Sequence, residues 1–451
     1  MVSTPVVGST QLQQQRTGFG SLVGILLRVW ADRELRRRLL RLIFRGSSGA
    51  LALAALHAAF GGMCRSPWET VCLLARLGAA LSATLTKYVA RGCTAKFPSW
   101  TLRFELLCAL IRVCTHAHGD NMVMEAKHAR AIRSQSEAMG SALGWLSCRF
   151  HGRWVEPVHF NGLEHLWLRP TTPRETSDER MVVLYVHGGG FSILSPRMYI
   201  SLGVSLASAI EKEFGEDEST RGRQVDVFLA NYRKAPEHCY PVQPEDAVAS
   251  YKYMLEHEGL APSQIILAGD SAGGGLVMSA LLRIRDAKPA DLPLAAILLS
   301  PACDLTGDEP EAPHCFLSPK LCISVCKVFH SNAEDRSTWG DSSSVHCDLS
   351  GLPPVFVQTG SLDYLHQHAT RLEAKARADG ATNWQLDLHE DLPHVFSIFP
   401  TFVLPYAQEG VRRMAAFAAR QFHESQTETE ESATSCSSDE EQRRDSVAIA
   451  A

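Results

Sequence analysis

Ile265-Ile266-Leu267-Ala268-Gly269-Asp270-Ser271-Ala272-Gly273-Gly274-Gly275 decides how this chain folds. An apolar run ends at Ala268, Gly-Asp-Ser-Ala-Gly follows at once, and Leu276-Val277-Met278 with Ala280-Leu281-Leu282 comes next. That order reads as a buried strand, a tight turn and a helix. The turn fits G-x-S-x-G, the nucleophile elbow, in which a serine occupies a strained apex between strand and helix. Gly269 and Gly273 flank Ser271 because such a bend brings those backbones together and leaves no room for side chains. A helix beginning at Ala272 aims its N-terminal amides and dipole at the serine, which favours a developing anion. Taken alone, the same letters also describe a glycine-rich turn without chemistry, so the partners decide.

Outward from this turn, strand-type runs alternate with helical ones. Residues 154–160 and 164–168 predict two strands around Asn161-Gly162, a hairpin signal. Residues 181–186, 225–230, 294–299, 355–359 and 384–388 predict further strands. Residues 196–214, 244–257, 369–378 and 406–422 predict helices. Such alternation implies an α/β fold with a mostly parallel, doubly wound sheet. Residues 304–349 have no clean period and read as an insertion near the site.

A serine hydroxyl is a weak nucleophile until an imidazole takes its proton, and a carboxylate must fix that imidazole's tautomer. In this fold the order along the chain is serine, acid, histidine. Asp363 follows the strand 355–359 by four residues, and His394 follows the strand 384–388 after a short loop. Both fall at the carboxyl edge that carries Ser271, where sites form in open α/β sheets. Asp387 and Asp391 compete as the acid, but one lies within a strand and the other almost abuts the histidine. His389 comes too early for the usual loop, and His366 and His368 read as surface residues.

His187-Gly188-Gly189-Gly190-Phe191 directly follows the strand 181–186, where HGGG loops supply backbone donors. The amides of Gly189, Gly190 and Ala272 would form an oxyanion hole of three donors. Losing one such donor costs about 10²–10³ in rate in a comparable enzyme.

With these motifs in hand, the chain resembles the hormone-sensitive-lipase and arylacetamide-deacetylase-like branch of the α/β-hydrolases. The shared residues are HGGGF (187–191), GDSAGG (269–274), and Tyr232-Arg233-Lys234-Ala235-Pro236-Glu237 with Pro241 and Asp246. The resemblance covers about residues 150–420 and implies an α/β-hydrolase fold with a helical cap, residues 99–150 helping to form the acyl pocket. It implies a serine carboxylic-ester hydrolase acting through an acyl-enzyme, with no cofactor and no metal. Ser271, Asp363 and His394 are then catalytic, with His187, Gly188 and Asp270 supporting the motifs. The substrate is a lipophilic small-molecule ester; acetyl-ester or amide deacetylation of sterols or arylacetamides is the alternative. A ligand-binding scaffold without catalysis is disfavoured because His394 is present. Four positions depart from the family pattern. Lys234 stands where leucine is usual, Gln367 and His368 replace the acids of D-x-L-x-D-E, and Val395 replaces the glycine after the histidine.

The 451 residues exceed one ordinary domain, with 45% hydrophobic and 21% charged residues. A net charge of −5 gives no sign of nucleic-acid binding. Thirteen cysteines without a C-x-x-C pair argue against zinc and against a disulfide framework, and suit an intracellular location. Cys322 and Cys326 read as packing residues. His116, His118 and His128 lack acidic or thiol partners at ligand spacing and read as surface histidines. Residues 1–98 form a helical extension, residues 99–150 the cap segment, residues 151–423 the catalytic domain, and residues 424–451 a disordered acidic tail. In the extension, six arginines between Arg33 and Arg45 precede the uncharged stretch 46–64, with a second apolar stretch at 71–86. Basic residues beside apolar surface favour an anionic leaflet, so the extension is expected to associate with a membrane surface. The stretch 46–64 has nearly the roughly 20 residues of a span.

Overall fold

The computed structural model describes residues 49–172, 180–216 and 222–427. These fall into two compact units. One ends at Phe60 and takes in Ser66–Thr70; the other holds Gly61–Arg65 and the chain from Val71 onward.

The first unit contains helix α1 (Gly49–Ala59) and the start of α2 (Pro67–Ala90). His57 Nδ1 lies 2.9 Å from the Thr70 hydroxyl. The uncharged stretch 46–64 does not form one long helix, because α1 gives way to turns at Phe60. It is α2 that has the length and composition to cross a membrane, with 11% of its apolar window buried.

The second unit is built on one eight-stranded sheet in the order β1-β2-β4-β3-β5-β6-β7-β8. The strands are β1 (Arg153–Phe160), β2 (Leu163–Pro170), β3 (Arg180–Val186), β4 (Gln224–Ala230), β5 (Ile265–Asp270), β6 (Ala295–Leu299), β7 (Val355–Gly360) and β8 (Trp384–His389). From β4 through β8 every pairing is parallel; β1 and β2 join antiparallel. Asn161 and Gly162 turn the β1–β2 hairpin with φ of 51° and 72°. Two positive φ values match the twist of the flanking strands. β3, β5 and β6 are near-continuous apolar runs because helices cover both their faces.

The second unit continues with α3 (Leu102–Met124), α4 (Ala126–His151), α5 (Ile200–Glu216), α6 (Val242–Glu256), α7 (Ala272–Ala287), α8 (Pro319–Phe329), α9 (His366–Ala378) and α10 (residues 407–427). One core lies between the sheet and α5 and α10, where Ile210 and Phe214 meet Met414 and Phe422. The opposite core joins the sheet to α6, α7 and α9 through Tyr251, Leu276 and Leu372.

Three differences from the sequence reading stand out. α10 continues to residue 427, past the domain boundary expected at His423, so the tail reading applies only from 428 on, outside the described residues. The insertion 304–349 contains a regular helix, α8, whose apolar face packs on α3. A Cβ on Gly119 would meet Leu321 Cβ at 2.9 Å. His118 and His128 are buried rather than on the surface, since they lie on inward faces of α3 and α4; His116 is exposed.

Candidate active site

Ser271 sits between β5 and α7 with φ 50° and ψ −121°, a conformation that costs a non-glycine residue about 1–3 kcal/mol. The surroundings hold it there. Its N–H donates to the Leu299 carbonyl at 2.8 Å, and its own carbonyl accepts from Ala302 N–H at 2.8 Å. A Cβ on Gly269 would lie 2.6 Å from the Gly273 carbonyl oxygen, and one on Gly273 would overlap the Val186 carbonyl. The two glycines are therefore required by the tightness of the turn.

Asp363 and His394 leave the carboxyl ends of β7 and β8. His394 Nδ1 lies 2.9 Å from Asp363 Oδ1, and both residues are buried. Leu365 N–H donates to the same oxygen at 2.9 Å. Burial alone would raise the Asp363 carboxyl; the His394 charge and hydrogen bond outweigh it, and the group is held below the usual carboxylate range. The two loops are stitched together by Leu362 N–H to the Leu392 carbonyl at 3.0 Å. Val395 N–H donates to the Ser300 hydroxyl at 3.0 Å. The ring of Phe316 stands edge-on, 6.0 Å from that of His394. With Nδ1 engaged by a carboxylate, Nε2 is the ring nitrogen left to accept a proton.

The competing residues bond to one another instead. His389 Nε2 lies 2.7 Å from Asp387 Oδ2, whose carboxylate also accepts from Gln358 at 2.9 Å and Arg413 at 2.7 Å. Asp391 offers its backbone carbonyl to the Trp100 indole N–H at 2.6 Å.

The HGGG loop is fastened from two sides. On one side, Asp270 Oδ1 accepts the Gly188 N–H at 2.8 Å and the Tyr185 hydroxyl at 3.0 Å, and Oδ2 accepts the Tyr199 hydroxyl at 3.0 Å. Burial pushes the Asp270 carboxyl up to about 6 despite these donors. On the other side, the Tyr232 hydroxyl donates to the His187 carbonyl at 3.0 Å, and Ala235 N–H donates to the Phe191 carbonyl at 2.9 Å. Arg133 of α4 donates to the Ser192 carbonyl at 2.7 Å, the Ala235 carbonyl at 2.6 Å and Glu237 at 2.8 Å. Arg233 is paired with Asp246 at 2.7 Å. Gly189 and Gly190 have φ of 109° and 57°, and a Cβ on Gly190 would meet Val325 of α8 at 2.6 Å. His187 is held neutral, its pKa driven well down by burial and by the charge of Lys234.

A sequence profile described as the alpha/beta hydrolase fold matches residues 183–398. An acetyl-hydrolase of Streptomyces hygroscopicus is 32% identical over 258 residues, covering 56% of this chain and 78% of that protein. The chain belongs to the α/β-hydrolases. A carboxylesterase of Mycobacterium tuberculosis, NlhH, shares 30% identity over 277 residues, 59% of this hydrolase and 82% of the relative. Among solved structures, an esterase from the bacterial hormone-sensitive lipase family matches with a TM-score of 0.57 at 27% identity. That match covers 73% of this hydrolase and 100% of the esterase. The hydrolase is thus a member of the hormone-sensitive-lipase branch.

Its departures from the branch pattern have local causes. Lys234 is buried, bonded to the Asn231 side chain and to the Tyr232 carbonyl at 3.1 Å, with burial pushing its pKa down to about 7. His368 is buried, not on the surface. Its Nδ1 accepts the Cys303 N–H at 3.2 Å, so Nε2 carries the proton and donates to Glu309 at 2.6 Å. The carboxylate absent from α9 is supplied by the loop after β6. Val395 keeps a left-handed conformation, φ 43° and ψ 42°, the geometry that explains why glycine is usual there. Glu309, Arg133 and α8 escaped the sequence reading, because each acts on a partner far away in the chain. Burial raises the thiols of Cys322 and Cys326, the latter to about 12, which keeps them protonated as packing residues. Among the described residues, no group of three or more His, Cys, Asp or Glu is placed to hold a metal ion.

Proposed function

We propose that this carboxylesterase-type hydrolase cleaves lipophilic carboxylic esters through an acyl-enzyme on Ser271. The buried 2.9 Å bond between His394 and Asp363, on the sheet edge that carries Ser271, is the observation that supports this most directly. Ser271 Oγ attacks the ester carbonyl as His394 Nε2 takes its proton. The new C–O bond places the carbonyl electrons on an oxyanion, held by the amides of Gly189, Gly190 and Ala272. Collapse breaks the bond to the alkoxide, which leaves with the proton from His394. Water then repeats the sequence and frees the acid. Asp363 orients the imidazole and stabilises its cation.

Acetyl esters are the second reading of the substrate, favoured by the acetyl-hydrolase relative. Hydrolysis of p-nitrophenyl esters from acetate to palmitate separates short from long acyl preference. Ser271→Ala should lower turnover by about 10⁶, and a fluorophosphonate adduct should map to Ser271. Near-native turnover in that variant would remove the assignment.

Residues 1–98 are proposed as an intracellular membrane-attaching extension, residues 99–150 as a cap, residues 151–427 as the catalytic domain and residues 428–451 as a regulatory tail. The apolar, barely buried α2 supports the first of these. Cells expressing the full chain or one lacking residues 1–98 would be fractionated, with a carbonate wash. Recovery of both forms in the soluble fraction would end the attachment reading.

A further inference from the structure

The turn before α3 reaches across 291 residues of chain to the loop that carries His394. Trp100 is buried in that turn, and its indole N–H donates to the Asp391 carbonyl at 2.6 Å. Asp391 has a φ of 62°, a left-handed conformation that a non-glycine residue keeps only where its surroundings impose it. Its own N–H donates to the Ser361 hydroxyl at 2.9 Å. Asp391 is thus gripped at both backbone polar groups, three residues before His394. Rings make a second connection. Trp100 stands edge-on to Phe104 at 4.8 Å between centroids, Phe104 to Phe399 at 5.1 Å, Phe399 to Phe316 at 5.9 Å and Phe316 to His394 at 6.0 Å.

Peptide planarity carries the grip forward. The Asp391 oxygen shares a plane with the Leu392 nitrogen, so fixing that oxygen fixes the direction in which the chain leaves for His394. Beyond it, the Leu392 carbonyl is held by Leu362 N–H at 3.0 Å, Pro393 has a ring-locked φ, and Val395 N–H is held by Ser300 at 3.0 Å. The freedom that remains lies at Asp391, whose left-handed backbone would relax without its two partners. We infer that Trp100 is a positioning residue for His394, its indole N–H setting the path of residues 391–393 and so keeping the imidazole on Asp363. The inference rests on the reading of Ser271 and His394 as catalytic.

Trp100→Phe keeps a ring against Phe104 and removes the donor. With p-nitrophenyl butyrate and the full-length enzyme, kcat should fall about tenfold, less than the roughly 10²-fold that a 1 Å misplacement costs. KM should hold, because acylation and deacylation both pass through the imidazole. In proton NMR, the low-field resonance that His394→Ala removes, that of the Nδ1 proton shared with Asp363, should broaden as exchange with water quickens. Ser361→Ala, which frees the Asp391 N–H, should reproduce both changes. Thr101→Val breaks the adjacent bond to the Val403 carbonyl; it should lower the melting temperature yet leave kcat and the resonance as in the wild type. Wild-type kcat with an unbroadened resonance in Trp100→Phe or in Ser361→Ala would overturn the inference. An equal fall of kcat in Thr101→Val would assign the effect to docking of α3 as a whole and would overturn it too. Wild-type turnover in His394→Ala would instead remove the catalytic reading itself, and this inference with it.

Discussion

The carboxylate of Asp270, the neighbour of Ser271, accepts the backbone N–H of Gly188 at 2.8 Å. One residue of the elbow thereby fixes the first glycine of the HGGG loop, so the two turns are joined directly by a hydrogen bond. Asp270→Ala removes that acceptor and should lower turnover by about 10²-fold, the scale of losing one oxyanion donor, through displacement of the HGGG loop. Steady-state kinetics on the same ester would show it, and a loss confined to KM would refute it.

The same residue makes a pH prediction. A carboxyl held at about 6 in the folded protein and near 3.8 in the unfolded chain keeps its proton on the folded side between those values. The folded state then binds more protons, so Asp270 destabilises the fold as pH rises through that window and stops changing it above. Relative to Asp270→Asn, the wild type should lose roughly 1.4 kcal/mol per pH unit between about pH 4 and 6. Urea melts at several pH values test the slope; a difference independent of pH would contradict it.

Asp363→Asn should lower turnover by about 10⁴, because the amide favours the wrong imidazole tautomer. Asp387→Asn should leave turnover near the wild type while loosening the bonds to His389, Gln358 and Arg413. The reverse ranking would exchange the two acids.

At Val395, removing the whole side chain should hurt less than trimming it. Val395→Ala loses buried contacts and keeps a strained left-handed backbone, for about 2 kcal/mol. Val395→Gly loses the same contacts but relieves the strain, so its net change should stay within about 1 kcal/mol. Chemical denaturation of both variants decides; alanine more stable than glycine would show the strain to be negligible.

The His368–Glu309 bond joins α9, which begins just past Asp363, to the loop after β6. Hydrogen bonds to a charged group contribute about 1.5–3 kcal/mol, so His368→Ala should destabilise by about 2 kcal/mol. His368→Glu restores the residue usual in the family yet sets two buried carboxylates together, and should melt lower still. A stabilised glutamate variant would mean that Glu309 pairs elsewhere.

The strands and the elbow were legible because their signals are local. Buried parallel strands are short apolar runs, and G-x-S-x-G and HGGG owe their glycines to contacts within a few residues or with an adjacent strand. The order of Ser271, Asp363 and His394 followed from strand ends. What was hidden depends on distant partners. α8 carries cysteines and polar residues between its apolar ones, and its helical period is plain only against α3. His118, His128 and His368 look like surface histidines until the opposing element is present. From Ser136 on, helix α4 defeats binary patterning, because its small residues, not its large ones, mark the buried side.

Arg133 ties α4 to the HGGG loop. One guanidinium holds the Ser192 carbonyl at the end of that loop and the Ala235 carbonyl and Glu237 of the segment packed on it, so α4 cannot leave either segment without breaking these bonds. α8 meets that loop through apolar contacts instead, Val325 against Gly190 and the Phe329 ring stacked on that of Phe191 with centroids 3.6 Å apart.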